Sequence, residues 1–228
     1  MNKYLIYSYA DTNSHEGCSF QKLADLTQPS LIEYAKVHGY DYYFQDSNFN
    51  TNLKIGWERY TITLDRFGDY EWIFYVDADA TIMNHTIRIE NIIDNNYDIM
   101  VARNSISKDW TGINTGVIFF KNSQWTKDFL NFLLTKTHLH NTWGFEQSAL
   151  IEAYINNEMD CQKHIKITKN RLFNSYMHQW YEEDRFRPSD FVCHCCGTSN
   201  SYREKLFTFL KNNIIKVPDY KIPFDPFV

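Results

Sequence analysis

Two aspartates, Asp77 and Asp79, end an apolar run in the sequence WIFYVDADATIMN at residues 72–84. The run lacks polar alternation, which is typical of a strand buried on both faces, as in a parallel sheet. Carboxylates at the end of such a strand are costly to desolvate unless a partner neutralises them. Residues i and i+2 of an extended backbone share a face, so both carboxylates can bind one cation. Oxygen ligands favour Mg²⁺ or Mn²⁺.

A second interpretation of this motif needs no metal. Asp79 could cap the following turn, and Asp77 could pair with a basic residue. The pattern Asp-x-Asp is common by chance, but ligands of α/β sheets collect beyond the carboxyl ends of strands, where these residues are expected. His194, in the segment DFVCHCCG, could be a third ligand, and its imidazole would favour Mn²⁺. Taken alone, such a histidine is more often a packing residue.

The cysteines of the chain indicate neither a disulfide framework nor a zinc site. They are five in number and unevenly spaced, which favours a reducing compartment. Residues 193–196 read CHCC. Consecutive residues of a strand alternate between its two faces, so these four side chains cannot surround one tetrahedral ion.

Length and composition narrow the class of protein. The 228 residues predict one domain over residues 1–228, and 43% hydrophobic with 22% charged residues is typical of a soluble globular protein. The net charge of −5 argues against a general nucleic-acid-binding surface. No stretch reaches the roughly 20 apolar residues of a membrane span. The N-terminus is typical of a first strand rather than a signal peptide.

Strands and helices alternate along the chain, which predicts an α/β fold with a mostly parallel central sheet flanked by helices. Strands are predicted at 4–10, 40–45, 72–77, 97–102, 114–120, 165–168 and 190–195. Helices are predicted at 21–38, 54–68, 86–94, 123–138, 145–155 and 201–213. Pro29 is expected to break the first helix, and Gly39 to cap it. The tail, about 214–228, is expected to pack on the body.

Six segments resemble glycosyltransferase family 34, which includes fungal galactosyl- and mannosyltransferases and plant xyloglucan xylosyltransferases. In order, they are GWER, WIFYVDADATIMN, GINTGVIFFKNSQWT, EQSAL, RLFNSY and DFVCHCCG, within about residues 54–197. Asp-x-Asp alone is generic to the GT-A fold, whereas the ordered set is more specific. The resemblance implies a GT-A-type, Rossmann-like domain. It also implies transfer of a hexose or pentose from a nucleotide sugar, expected to be UDP-linked, to a carbohydrate acceptor with retention of anomeric configuration.

The resemblance also implies roles for individual residues. Asp77, Asp79 and His194 would bind Mn²⁺ or Mg²⁺, which would hold the donor diphosphate. The Glu146–Gln147 pair would lie near the reacting carbon, where the Gln147 carbonyl would stabilise oxocarbenium charge. Without the resemblance, this pair is typical of an ordinary helix start. The implied donor-binding residues are Ser8, Tyr9, Arg59, Asp77, Ala78, Asn114, Gly116 and Gly197.

Several positions depart from the family pattern. Arg59 stands where much of the family has lysine, and Phe145 occupies a position that is acidic in plant members. The stretch after His194 lacks the lysine that related retaining enzymes use to hold diphosphate, and Arg203 could replace it. We expect no membrane anchor, unlike in the Golgi members of the family, and therefore expect a cytoplasmic enzyme of bacterial or viral origin.

Two other functions are compatible with these residues. A nucleotidyltransferase would need a glycine-rich basic loop after the first strand, and SYADTNSHEG at residues 8–17 does not have these features strongly. A non-catalytic nucleotide- or carbohydrate-binding module is the second alternative, although an intact set of site residues argues against it. The acceptor is expected to bind loops at 104–113, 138–145 and 176–190. Trp110, Trp143 and Trp180 in these loops could stack on sugars or serve as packing anchors.

Overall fold

The computed structural model describes residues 3–10, 20–46, 53, 55–68, 70–104, 112–142, 144–177 and 182–217. Its helices are α1 (Phe20–His38), α2 (Glu58–Arg66), α3 (Gln124–Leu134), α4 (Phe145–Ile155) and α5 (Asn200–Leu210). Its strands are β1 (Tyr4–Tyr9), β2 (Asp41–Gln45), β3 (Trp72–Val76), β4 (Ala80–Ile82), β5 (Ile99–Arg103), β6 (Ile113–Lys121), β7 (Ile165–Thr168), β8 (Ser175–Tyr176) and β9 (Val192–His194).

Six strands form the central sheet in the order β2-β1-β3-β6-β5-β7. Strand β1 pairs in parallel with β2 and β3, and β5 pairs in parallel with β7. Strand β6 is antiparallel to both of its neighbours, β3 and β5. The sheet is therefore mixed but mostly parallel, which confirms the predicted α/β class. Because β6 is reversed, its first residues lie at the same edge as the carboxyl ends of the other strands.

Strand β3 is buried on both faces of the sheet, as its apolar run predicts. Tyr75 packs in one core with side chains from α2, α3 and α4. Phe74 packs in a second core on the opposite face with residues of α1, and its ring stacks on Phe119 of β6 at 4.1 Å between centroids. The two cores clamp β3 and β6, so the ends of these strands are held rigidly.

A second sheet consists of three short strands in the order β4-β9-β8. Strand β4 is antiparallel to β9, with Ala80 opposite His194, and β8 is parallel to β9. The sequence did not predict β4 or β8, which have only three and two residues and depend on partners distant in sequence. This sheet fixes the distance between the β3–β4 turn and His194.

The predicted break in α1 is wrong, because the helix continues through Pro29. A proline inside a helix removes one N–H and leaves the carbonyl four residues earlier, here that of Asp25, without its partner. Pro29 and Asp25 are both exposed, so water can bond to this carbonyl. Gly39 follows the helix with a positive φ of 71°, the left-handed conformation expected of a glycine at this position.

The predicted helix at 86–94 is also wrong, since only a 3₁₀ turn at Ile89–Asn91 forms there. Local side-chain bonds compete with the helix. Asn84 accepts from the Thr86 N–H at 3.1 Å, and Asp94 accepts from the Asn96 N–H at 3.1 Å. Helix α3 begins at its predicted cap, Ser123, but ends at Leu134 rather than near residue 138.

The described part of the C-terminal segment lies against the end of β4. The Ile215 N–H donates to the Met83 carbonyl, and the His85 N–H donates to the Ile215 carbonyl, both at 2.8 Å. Residues 218–228 lie outside the described part of the chain. None of the described helices has the length and apolar character needed to span a bilayer.

Candidate active site and metal centre

The end of β3 and the beginning of β6 meet at one edge of the central sheet. Asp77 directly follows β3, and its N–H donates to the Gly116 carbonyl at 2.7 Å. Asp79 follows two residues later, and its carbonyl accepts from the Cys195 N–H at 2.9 Å. The first bond joins the site to the central sheet, and the second joins it to β9. These two backbone contacts bring His194 next to both aspartates.

Asp77, Asp79 and His194 form a cluster whose possible ligand atoms lie within 4.8 Å of one another. His194 Nε2 is 3.2 Å from Asp79 Oδ1 and 3.9 Å from Asp77 Oδ2. This nitrogen is buried and has no hydrogen-bond partner among the described residues. An unpartnered buried nitrogen facing two carboxylates has the donor set of a divalent cation site.

The second oxygen of each carboxylate is already occupied by a basic or hydroxyl group. Asp77 Oδ1 accepts from Arg59 Nη2 at 2.9 Å and from the Tyr75 hydroxyl. Asp79 Oδ2 pairs with Arg203 Nη2 at 2.9 Å. These contacts orient the carboxylates so that Asp77 Oδ2 and Asp79 Oδ1 remain directed to His194. A partner for Asp77 and a candidate cation site can therefore coexist, since each would use a different oxygen.

Gly116 keeps the space between these ligands open. A Cβ atom at this position would lie 2.6 Å from Asp77 Oδ2 and 2.9 Å from His194 Nε2. Both distances are shorter than a normal van der Waals contact, so any side chain would push the ligands apart. The residues present therefore fit a small divalent cation, and Gly116 is required by close approach rather than by its backbone angles.

The pKa values of the two aspartates are shifted in opposite directions. Burial raises the pKa of Asp77, and the negative charge of Asp79 adds to this shift while Arg59 opposes it. Burial also acts to raise the pKa of Asp79, but His194 and Arg203 outweigh it and lower the pKa to about 2. A cation between the two groups would favour the charged form of both.

Arg59 connects the metal ligands to the beginning of α4. Its guanidinium is buried and lies 2.9 Å from Asp77 Oδ1 and 2.9 Å from Glu146 Oε1. It also donates to the Thr115 carbonyl at 2.6 Å. Burial raises the pKa of Glu146, and Arg59 and the Thr115 hydroxyl oppose that shift. The Glu146 carboxylate is therefore held in an ion pair with Arg59.

Gln147 is held by the same residue of β6. Its Oε1 accepts from the Thr115 N–H at 3.1 Å, while the Thr115 hydroxyl donates to Glu146 Oε1 at 2.8 Å. Thr115 thus contacts Arg59, Glu146 and Gln147 through its carbonyl, hydroxyl and N–H. The Gln147 side chain remains partly exposed.

A pocket of about 210 Å³ opens beside the metal ligands. The site residues on its wall are Tyr9, Arg59, Asp77, Ala78, Asp79 and Arg203. Ser8, also implied as donor-binding, is fully buried and accepts from Gln28 Nε2 at 3.2 Å, so it lies behind the wall. The other residues implied to form the site do not line this pocket; they are Asn114, Gly116, Glu146, Gln147, His194 and Gly197.

A family model places this chain among known proteins. The model of the galactosyl transferase GMA12/MNN10 family matches residues 5–105 and 90–204, which is most of the chain. The chain belongs to this family. The resemblance seen in the sequence motifs, that to glycosyltransferase family 34, is thereby confirmed.

Curated relatives of this chain are longer than the chain itself. Galactomannan galactosyltransferase 1 of Cyamopsis tetragonoloba is 22% identical over 126 residues, covering 50% of this chain and 28% of that protein. Xyloglucan 6-xylosyltransferase 4 of Arabidopsis thaliana is 25% identical over 245 residues, covering 82% of this chain and 46% of that protein. This chain thus spans less than half the length of either relative.

Solved structures share the architecture. A glycosyltransferase involved in the glycosylation of the major capsid of PBCV-1 aligns with a TM-score of 0.71 at 20% identity, covering 90% of this chain and 98% of that one. The glycosyltransferase GlyE of Streptococcus pneumoniae TIGR4 aligns with a TM-score of 0.61 at 14% identity, covering 95% of this chain and 62% of that one. These similarities confirm the GT-A fold.

Several residues that build the site in this family member were not predicted from its sequence. Tyr75 shares a strand face with Asp77, and that spacing of two could have indicated the contact. Thr115 lies inside the matched segment GINTGVIFFKNSQWT. Asn174, whose Oδ1 lies 2.8 Å from His194 Nδ1, lies inside RLFNSY. Trp110, Trp143 and Trp180 lie outside the described residues, and the side chain of Phe145 is likewise outside them.

Proposed function

We propose that this chain is a metal-dependent glycosyltransferase that transfers a hexose or pentose from a UDP-sugar to a carbohydrate acceptor. The observation that carries the proposal is the cluster of Asp77, Asp79 and His194 around the space that Gly116 leaves open. This cluster borders a pocket at the carboxyl edge of the sheet, where α/β folds bind ligands. Membership of a transferase family supports the same reaction class.

We expect Asp77 Oδ2, Asp79 Oδ1 and His194 Nε2 to hold Mn²⁺ or Mg²⁺, with the imidazole favouring Mn²⁺. When bound, such an ion supplies Lewis-acid stabilisation of the charge that develops on the departing diphosphate. The remaining roles in the reaction belong to residues of the chain itself.

Arg203 is the residue best placed to bind the diphosphate in place of the lysine that this sequence lacks. It lies in the first turn of α5 and on the pocket wall, 2.9 Å from Asp79 Oδ2. Its Nε also donates to the Cys195 carbonyl at 3.1 Å, which fixes the side chain toward the site. A guanidinium binds phosphate oxygens in a bidentate manner, unlike the ammonium of lysine.

Retention at the anomeric carbon is the outcome that we expect from the family resemblance. Glu146 is paired with Arg59, and Asp77 and Asp79 would hold the metal, so none of these three carboxylates is free to act as the general base of a direct, inverting displacement. Gln147, oriented by Thr115, would place its carboxamide near the developing oxocarbenium charge. Asn114 and Gly116 would lie beside the donor sugar.

Nucleotide release from a panel of sugar nucleotides, with and without Mn²⁺, tests the proposal. We expect Mn²⁺-dependent release of UDP, stimulated by carbohydrate acceptors, and loss of it in Asp79→Asn. A nucleotidyltransferase would instead release pyrophosphate from a nucleoside triphosphate and a sugar phosphate. A binding module would bind the sugar nucleotide without turnover. Either of these two results would replace the proposed function.

A further inference from the structure

Asn174, in the matched segment RLFNSY, lies directly behind the metal ligand His194. It is fully buried and precedes β8 by one residue. Its Oδ1 lies 2.8 Å from His194 Nδ1, and its Nδ2 donates to Asn114 Oδ1 at 2.9 Å. Asn174 therefore bridges a metal ligand and the residue implied to lie beside the donor sugar.

The protons in this chain of contacts can be assigned from one backbone group. The Gly116 N–H donates to the Asn114 side chain at 3.0 Å, so the accepting atom must be the amide oxygen, Oδ1. The atom of Asn174 that faces this oxygen must then be its NH₂ group, which leaves the Asn174 oxygen facing His194. An oxygen there requires a proton on His194 Nδ1. In the neutral imidazole, Nε2 then carries the lone pair.

We propose that Asn174 is a positioning residue that holds His194 in the tautomer with Nδ1 protonated, so that Nε2 is free to bind the metal. The inference rests on the proposed metal site and goes beyond it by assigning a role to the RLFNSY segment. Metal-binding histidines are commonly oriented in this way by an acceptor at the other ring nitrogen. Because Asn174 also donates to Asn114, it couples the position of the metal ligand to the sugar side of the site.

Two substitutions of Asn174 separate its contact with His194 from its contact with Asn114. Asn174→Leu removes both contacts at similar volume, and Mn²⁺ binding to the protein alone should weaken by about 10- to 100-fold. Asn174→Asp keeps an acceptor for His194 but loses the donor to Asn114. We therefore expect near-wild-type Mn²⁺ affinity in Asn174→Asp but weaker binding of the UDP-sugar. Electron paramagnetic resonance of free Mn²⁺ measures the first affinity, and calorimetry measures the second.

Asn170→Leu is the matched control. Asn170 is also fully buried and lies in the same segment, but it donates to the Arg103 carbonyl at 2.6 Å rather than to the metal ligand. Its replacement should lower stability without changing Mn²⁺ affinity. Equal weakening of Mn²⁺ binding in Asn170→Leu and Asn174→Leu would mean that general loosening is the cause, and would overturn the inference.

The tautomer of His194 gives a readout that needs no metal. ¹⁵N chemical shifts in the metal-free wild-type protein, assigned by comparison with His194→Gln, should show a proton on Nδ1. They should show that Nδ1 loses its proton in a substantial fraction of Asn174→Leu. Absence of a proton on Nδ1 in the wild type, or unchanged Mn²⁺ affinity in a folded Asn174→Leu, overturns this inference alone. A wild-type protein that binds no Mn²⁺ overturns the proposed function and this inference with it.

Discussion

Arg59 is the residue on which the site's charge balance depends. Burial alone would lower its pKa, but Asp77 and Glu146 raise it well above the ordinary value, so the guanidinium stays charged. Arg59→Met leaves two carboxylates facing each other without a counter-ion. We expect the free energy of unfolding to fall by about 3–5 kcal/mol, as when one partner of a buried ion pair is removed. Urea unfolding measures this loss.

Arg88→Met is the control for that experiment, because Arg88 pairs with Glu90 at 2.9 Å on the exposed surface. Exposed ion pairs contribute at most about 1 kcal/mol, so its unfolding should be almost unchanged. Equal and small effects in the two variants would show that the Arg59 pairs contribute little to the fold.

Gly116 tests the geometry of the ligands without removing any of them. In Gly116→Ala the new Cβ would approach Asp77 Oδ2 and His194 Nε2 at 2.6 and 2.9 Å, so the ligands must separate. We expect Mn²⁺ binding to be lost while the far-UV circular dichroism spectrum is retained. Gly112→Ala, whose Cβ would approach the Asn104 Cβ at 2.6 Å, creates a comparable clash outside the metal cluster and should retain Mn²⁺ binding.

Gln147 tests the proposed chemistry rather than the binding of substrates. If its carboxamide stabilises the transition state only, Gln147→Ala should lower kcat by ~10²–10³, equivalent to ~2.7–4 kcal/mol, and leave donor binding nearly unchanged. Steady-state kinetics with calorimetry of the donor separates these effects. Weaker donor binding at an unchanged kcat would make Gln147 a substrate clamp instead.

The sequence predicts those site residues that are close together in the chain. Asp77 and Asp79 follow a recognisable buried strand, and residue spacing places them on one face. The roles of Arg203 and Asn174 could not be derived from spacing, because tertiary packing brings them to Asp79 and His194 from other elements. Family motifs located His194 and Gln147, but not the contacts that orient them.

At the scale of elements, β3 and β6 were predictable because both cores bury them and their sequences are continuously apolar. Strands β4 and β8 could not be predicted, since segments of two or three residues are too short to show a periodic pattern. These short strands nevertheless determine the site, because the pairing of Ala80 with His194 sets the position of the imidazole. The elements that could not be predicted are therefore the ones that complete the candidate metal centre.

Helix α1 continues through Pro29, although a proline was expected to break it, and this element can be tested by substitution. Proline costs about 3 kcal/mol relative to alanine inside a helix, and up to about 1 kcal/mol is regained because proline restricts the unfolded chain. Since Pro29 is exposed, Pro29→Ala should stabilise the protein by about 2 kcal/mol, measured by urea unfolding, with Mn²⁺ binding unchanged. A destabilised variant would mean that Pro29 makes a contact on which the fold depends.

At the scale of the whole molecule, the reversed direction of β6 brings the site residues to one edge of the central sheet. Because β6 is antiparallel in a mostly parallel sheet, Asn114 and Gly116 lie at the edge where β3 ends and Asp77 follows it. That β6 is reversed could not be predicted, since an apolar strand buried on both faces has the same pattern in either direction. The prediction of a single domain over residues 1–228 stays a prediction, as does the binding of the acceptor at the loops.

Calorimetric titration of UDP into the wild-type protein, with and without Mn²⁺, tests most directly whether Asp77, Asp79 and His194 hold a cation that binds the donor diphosphate. We predict that UDP binds only when Mn²⁺ is present, and that Asp79→Asn and His194→Ala lose this binding. In thermal unfolding, UDP with Mn²⁺ at about 100 times the dissociation constant should stabilise the wild type by about 2.7 kcal/mol. Equal UDP binding without Mn²⁺, or Mn²⁺-dependent binding retained in both variants, would contradict the proposed metal centre.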